Sequence, residues 1–168
     1  MNLDNPQEKL RQVVLCFLIR DNEVLLAMKK RGFGVGNWNG TGGKLKEGET
    51  LKQAAFREAK EEIGVAILSL NKMAILDFYF PKVPKEKDWD QQVHVFLVDK
   101  WEGKPSESEE MKPQWFKKKS LPLTKMWESD SLWLPKVLQE EKKLRGKLIY
   151  DEDQKLIDHQ LKEVNRFS

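Results

Sequence analysis

Gly43-Lys44-Leu45-Lys46-Glu47-Gly48-Glu49, then seven residues, then Arg57-Glu58-Ala59-Lys60-Glu61-Glu62-Ile63-Gly64-Val65 is the stretch on which the fold turns. Thr50 and Gln53 stand at capping-box spacing, and Gly64 is the residue type that most easily takes a left-handed exit, so a helix of about three turns is predicted between them. On that helix Glu58, Glu61 and Glu62 fall at i, i+3 and i+4 and share one strip of surface. Like charges so placed cost a few tenths of a kcal/mol per pair, and a hard divalent cation with a preference for oxygen ligands would compensate. An isolated Glu-x-x-Glu-Glu reads more simply as a solvated acidic face. The glycines upstream change that balance: Gly32, Gly34, Gly36, Gly40, Gly42, Gly43 and Gly48 crowd one segment that runs directly into the acidic helix. Such density is expected to form an irregular loop and lets backbone approach a ligand closely.

Working outward, the apolar run Val13 to Ile19 reads as a buried strand, Asp21-Asn22-Glu23 as a turn, and Val24 to Met28 as its hairpin partner. Ala66 to Leu70, Lys72 to Phe80 and Val93 to Val98 read as extended, and Pro81 to Gln92 as a polar loop with two prolines and a lone Trp89. Residues 101–113 are acidic and turn-rich, followed by a short buried strand at Trp115-Phe116. A second helix is predicted over Asp130 to Lys143, with Pro135 tolerated in about its first turn. The tail from Gly146 to Val164 is either a hairpin turning at Asp151-Glu152-Asp153 or a strand followed by a helix. Strands alternating with two separated helices predict an α+β fold, a mixed sheet packed between helices, in one domain spanning 1–168.

Composition narrows the function. Thirty basic residues nearly cancel 27 acidic ones, which excludes a whole-surface nucleic-acid binder and points to a small, locally held anion. The single cysteine, Cys16, lies inside the first apolar run, where a buried structural thiol is expected, and a disulfide framework is impossible. That run is far short of a membrane span, which needs roughly 20 residues, and Met1 to Asn5 lacks the basic-then-apolar order of a signal peptide. A soluble, cytoplasmic monomer with no membrane or stable nucleic-acid partner is expected. Two competing phosphate motifs fail. In a P-loop register Trp38 stands where the first glycine belongs and Leu45 follows Lys44, while Gly34-Val35-Gly36 is one residue out of step with a dinucleotide fingerprint. His94 and His159 are read as structural.

Residues 43–65 match G-x5-E-x7-R-E-U-x-E-E-x-G-U, with U a bulky aliphatic, at every invariant position; Ala59 fills one aliphatic slot with a smaller side chain. The chain therefore resembles the Nudix hydrolases. The resemblance implies a Nudix fold and hydrolysis of a nucleoside diphosphate linked to another group, with Mg2+ as cofactor and Mn2+ as a possible substitute. It implies that Glu58, Glu61 and Glu62 are metal-side carboxylates, one of which takes the proton from water. Arg57 would orient them through Glu49, Gly42 and Gly43 would shape the metal-side turn, Lys44 would meet phosphate, and Glu110 would be an additional metal ligand unless it is one more surface acid.

Further stretches, Met28 to Gly34, Trp38-Asn39-Gly40, Val93 to Phe96, Glu110 to Pro113 with Trp115-Phe116, and Met126-Trp127 with Asp130-Ser131 and Trp133, extend the likeness to the MutT-homologue group, which hydrolyses oxidised purine nucleoside triphosphates. Positions implied to hold the nucleotide are Asn39, Phe33, Phe78, Phe80, Trp127, Ser129 and Asp130, with Lys29 near the triphosphate. Asn39 can offer a donor and an acceptor to a purine edge, and Trp127 a flat face. Where the group carries two adjacent aspartates, this chain has Ser129-Asp130, so an altered breadth of base recognition is expected. Val14 and Thr41 are further departures beside the pocket. Asp130 has a plainer reading as a helix N-cap, and Phe78, Phe80 and Trp127 as core aromatics. Two other functions fit the same motif: hydrolysis of a dinucleoside polyphosphate or capped RNA, and a Nudix-fold nucleotide-binding module without turnover.

Overall fold

The structure, a computed structural model, describes residues 10–167; Met1 to Asn5, read above for signal-peptide order, lie outside them. Its centre is strand β1 (Arg11–Arg20), whose alternation divides the core. Val14, Cys16 and Leu18 pack on one face with Ala54, Ala55, Ala59 and Ile63 of helix α1 (Leu51–Ile63). Phe17, with Val13, Leu15 and Ile19, packs on the other face with Trp133, Leu134, Val137 and Leu138 of helix α2 (Asp130–Gln139). An uninterrupted apolar strand is what burial on both faces requires. The small side chain of Ala59 is fully buried in the α1 layer, and the Cys16 thiol is buried beside it, as expected of a structural cysteine.

Around β1 the sheet is mixed. β1 pairs antiparallel with β2 (Glu23–Lys29) through a turn in which Asp21 takes φ 50, and parallel with β7 (Gln91–Val98). β6 (Asn71–Tyr79) joins β7 to β10 (Lys143–Tyr150), and β11 (Leu156–Val164) closes that edge. β10 and β11 are antiparallel around the turn at 151–154, so the tail is a hairpin and the strand-helix alternative falls. This is the predicted mixed sheet between helices.

Several boundaries differ from the sequence reading. The glycine segment holds two short strands, β3 (Trp38–Asn39) on β2 and β4 (Thr41–Lys44) on β1, where only loop was expected. Close approach explains it: a Cβ at Gly42 would stand 1.8 Å from the Val14 carbonyl oxygen, so only glycine lets β4 lie against β1. Residues 101–113 contain β8 (Trp101–Glu102), which pairs with β5 (Ala66–Ile67), and the start of β9 (Met111–Lys117). Trp115 and Phe116 in β9 are half-buried instead of buried, because β9 pairs with β2 alone and forms an edge. α2 stops at Gln139, and the chain turns through Glu141, at φ 53, into β10. Pro135 falls in the second turn of α2, where its missing N–H leaves the carbonyl of exposed Ser131 to solvent.

Candidate active site

The site grows from the start of α1. Thr50 caps the helix, with its side chain accepting from Gln53 N–H and Gln53 reaching back to Thr50 N–H, and Gly64 ends it at φ 73. This fixes the helix so that Arg57 faces the preceding loop. Arg57 grips Glu49 in a two-pronged pair, Nε to Oε2 at 2.7 Å and Nη2 to Oε1 at 2.9 Å. It also donates to the Lys44 carbonyl at 3.1 Å, to Glu58 Oε1 at 2.7 Å and to Glu61 Oε2 at 3.4 Å. Hydrogen bonds from Arg57 hold the Glu49 carboxyl down to about 2, and Glu49 in turn raises the guanidinium further above its ordinary value. The orienting role implied for Arg57 has this geometry.

The three glutamates are not equivalent. Glu62 is buried and accepts from Gly42 N–H at 3.3 Å, Glu58 is largely covered and lies against Gly43, and Glu61 remains exposed on the outer side of the strip. A Cβ on Gly43 would meet Glu58 Oε1 at 2.6 Å, so the turn is a cradle that a side chain would fill. Burial first, then the nearness of Glu58 and more weakly the charge of Glu110, pushes the Glu62 carboxyl far above the usual carboxylate range. Its Oε2 has no hydrogen-bond partner among the described residues. Two adjacent carboxylates sharing a cradle, one buried with an orphaned oxygen, fit a divalent cation, whose charge would relieve the repulsion that now favours a proton. Glu110 begins the turn into β9, with its carboxylate 3.5 Å from Arg31; its charge reaches Glu62 but its side chain is engaged elsewhere.

Beside this cradle opens a cleft of about 410 Å³, of the size that takes a small-molecule ligand. Gly42, Gly43 and Lys44 line one part of it, and Lys29, Phe33, Asn39, Phe78, Phe80, Trp127 and Asp130 line the rest, so the cleft unites eight of the nine positions implied to meet the nucleotide. Asn39 Oδ1 accepts from Gly40 N–H at 2.8 Å, which leaves its Nδ2 donors unspent among the described residues. Asp130 is fully buried: Trp133 Nε1 donates to Oδ1 at 3.1 Å, Oδ2 has no partner among the described residues, and burial pushes the carboxyl up to about 7. Asp130 is the first residue of α2, so the N-cap reading fails; its neighbour Ser129 holds that position, without a side-chain cap bond among the described residues.

The ninth position, Ser129, is the exception. It is wholly buried and its hydroxyl is taken by Tyr150, outside the cleft wall. Thr41 is likewise buried away from the cleft, its Oγ1 without a partner among the described residues, whereas Val14 lines it. His94 shares a 2.7 Å hydrogen bond with Gln12, and burial depresses its pKa to about 4, in keeping with a structural role. The sequence reading assigned no nucleotide role to several further cleft residues, among them Arg11, Lys87, Trp89 and Trp133. For Trp133 a signal existed, since it follows Asp130 at i+3 on the same helix face. The others arrive from segments distant in sequence, and no spacing rule links them.

A capped carboxylate helix, a glycine turn folded over buried Glu62 and half-buried Glu58, and an adjoining cleft thus stand side by side. The chain belongs to the Nudix family, since the NUDIX domain matches residues 9–137. It is 41% identical to the mouse oxidized purine nucleoside triphosphate hydrolase, over 94% of this chain and 97% of that protein, and 42% identical to the zebrafish protein of the same name, over 90% and 94%. Among solved structures, a MutT protein from Bacillus halodurans superposes with a TM-score of 0.78 at 27% identity, over 90% of this chain and 97% of that one. Nudix hydrolases as a family use a divalent metal ion. Among the described residues, no helix is long and apolar enough to cross a membrane.

Proposed function

We propose that this protein hydrolyses oxidised or alkylated purine nucleoside triphosphates, of the 8-oxo-dGTP, 2-hydroxy-dATP and O6-methyl-dGTP type, to the monophosphate and pyrophosphate. The observation that carries this reading is a cleft with the glutamate cradle at one side and, in its wall, a buried acid whose second oxygen has no partner among the described residues. A carboxyl with a pKa near 7 can donate to one base edge and accept from another, which suits purines whose donors and acceptors have been exchanged by damage. The mouse and zebrafish relatives carry the corresponding activity in their names.

Glu58 and Glu62, with Glu61 and the backbone of Gly42, would hold Mg2+, or Mn2+ in its place; when bound, the ion neutralises phosphate charge and makes coordinated water more acidic. Arg57 holds Glu58 and Glu61 in register through Glu49, Lys29 and Lys44 meet the phosphates, and one glutamate accepts the proton of the attacking water. Phe33, Phe78, Phe80 and Trp127 exclude water from the base while Asn39 and Asp130 read its edge. Ser129 shapes that edge from behind, and Glu110 adds negative charge near the cradle. In this reading the protein is a cytoplasmic monomer acting on free nucleotides, as a sanitiser of the nucleotide pool.

The test is kcat/KM with Mg2+ for the three modified nucleotides, their unmodified parents, a dinucleoside polyphosphate and a capped RNA, with pyrophosphate and phosphate release measured separately. Preference for a modified purine with pyrophosphate release is expected. Preference for a dinucleotide or a cap would overturn the substrate, and nucleotide binding without Mg2+-dependent turnover, unaffected by Glu61→Gln, would overturn catalysis.

A further inference from the structure

Residues 81–90 form a charged loop leading into β7, in which Trp89 is the one aromatic residue. Its ring lies 5.0 Å from Phe33 and 5.4 Å from Phe80, and Trp127 lies 5.4 Å and 6.4 Å from the same two. The four rings close a circuit, with Phe80 buried at the floor and Phe33, 39% exposed, at the rim. A planar base inserted between two rings needs a gap of about 7 Å, two contact distances of ~3.5 Å. The 5.4 Å between Phe33 and Trp127 is too small. A base inserted between Trp127 and Phe33 must therefore displace Phe33, and the ring that backs Phe33 is Trp89.

Behind Trp89 lies a second cavity of about 150 Å³, walled by Leu10, Val83 and Pro84 together with Asp88 and the Lys85–Asp90 ion pair. Phe80 and Trp89 are the two residues that line both this cavity and the main cleft. The loop is anchored independently of the indole, since Asp90 Oδ1 accepts from Phe80 N–H at 2.7 Å and Oδ2 from Lys85 at 3.0 Å. Trp89 thus stands as a partition between the two spaces, on a frame held without its indole.

We propose that Trp89 is a specificity-determining residue: it limits the size of the base substituent by backing Phe33 and by closing the side cavity to the cleft. This rests on the nucleotide reading of the cleft. Methyl and oxo substituents fit with Phe33 displaced against Trp89, whereas an aryl substituent requires the space behind it. A volume of about 150 Å³ is large enough for a benzene ring, and here the wall of Leu10, Phe80, Val83 and Pro84 would receive one, with Lys85, Asp88 and Asp90 lining the rest.

The test is calorimetric binding of the 2′-deoxyguanosine monophosphates bearing O6-methyl and O6-benzyl groups, a measurement that does not depend on turnover. The native protein is expected to favour the methyl compound about tenfold or more, within the range by which a pocket rejects surplus bulk. Trp89→Ala is expected to erase that preference, and Trp89→Phe, which keeps a ring in place, to retain most of it. Trp89→Leu keeps apolar packing on Phe80 with a shorter side chain and should follow the alanine variant, serving in its place if that variant does not fold. A ratio within about threefold of native in the Ala and Leu variants, or no binding of either compound to the native protein, overturns the proposal. Hydrolysis of the two triphosphates with Mg2+ keeps the two readings apart: a shifted ratio without turnover sinks only the hydrolase assignment, and turnover with an unshifted ratio sinks only the role of Trp89.

Discussion

The hydroxyl of Tyr150 donates to Ser129 Oγ at 2.6 Å and accepts from Ser129 N–H at 3.0 Å, so the serine beside Asp130 is committed to the core. Tyr150 also stacks with Phe80 at 5.5 Å and meets Trp127 edge-on at 5.4 Å, which ties the aromatic wall to the start of α2. Tyr150→Phe should leave the Ser129 N–H buried and unsatisfied at a cost of about 1–3 kcal/mol, read from the urea midpoint at unchanged m. Ser129→Asp should change the ranking of modified bases in kcat/KM, because it sets a second carboxyl beside Asp130. An unchanged ranking would confine Ser129 to packing.

Asp130 should impart a recognisable pH dependence on stability. Its folded pKa is raised by burial to about 7 from an ordinary 3.8, so between those values the folded state holds a proton that the unfolded state has lost. Stability contributed at this site is therefore greatest below the ordinary value, falls as pH rises through the window, and stays low above it. Asp130→Asn removes the titration, and the difference between variant and native unfolding free energy should grow in favour of the variant from pH 4 to about 8. A flat difference would show that Asp130 is ionised in the fold across the whole range.

Arg57→Lys keeps the charge and loses the fork that grips Glu49 at 2.7 and 2.9 Å. If Arg57 acts by positioning, kcat should drop by roughly 10²-fold, the order expected of a small misplacement, with KM little changed. A fall confined to KM would make it a substrate ligand instead.

The two adjacent glycines should fail differently. At Gly42 a Cβ would meet the Val14 carbonyl oxygen at 1.8 Å, backbone against backbone, so Gly42→Ala should cost more than ~4 kcal/mol or prevent folding. At Gly43 the clash is with the end of the Glu58 side chain, at 2.6 Å, which can move. Gly43→Ala should therefore fold, with a melting temperature near native, and lose activity through a displaced Glu58. Equal destabilisation by both would contradict this distinction.

Much of the active-site helix is local and was legible in the chain. Thr50, Gln53 and Gly64 dictate its ends through caps satisfied within a few residues, and Glu58, Glu61 and Glu62 share a strip because the helical period places them there. The alternation of Val14, Cys16 and Leu18 against Phe17 likewise marks a strand buried on both faces, since period two sends neighbours to opposite layers. Tertiary structure decided which glutamate is buried, because that depends on β4 lying over β1 at the one place where Gly42 and Gly43 permit it. It also turned Ser129 away from the cleft toward Tyr150, twenty-one residues on, and brought Trp89 against Phe33 from a loop fifty-six residues away. Composition and spacing carry no information about such meetings. They are set by sheet order and by the packing of loops across it, which is why the hydrolytic motif could be read from the sequence and the shape of the base pocket could not.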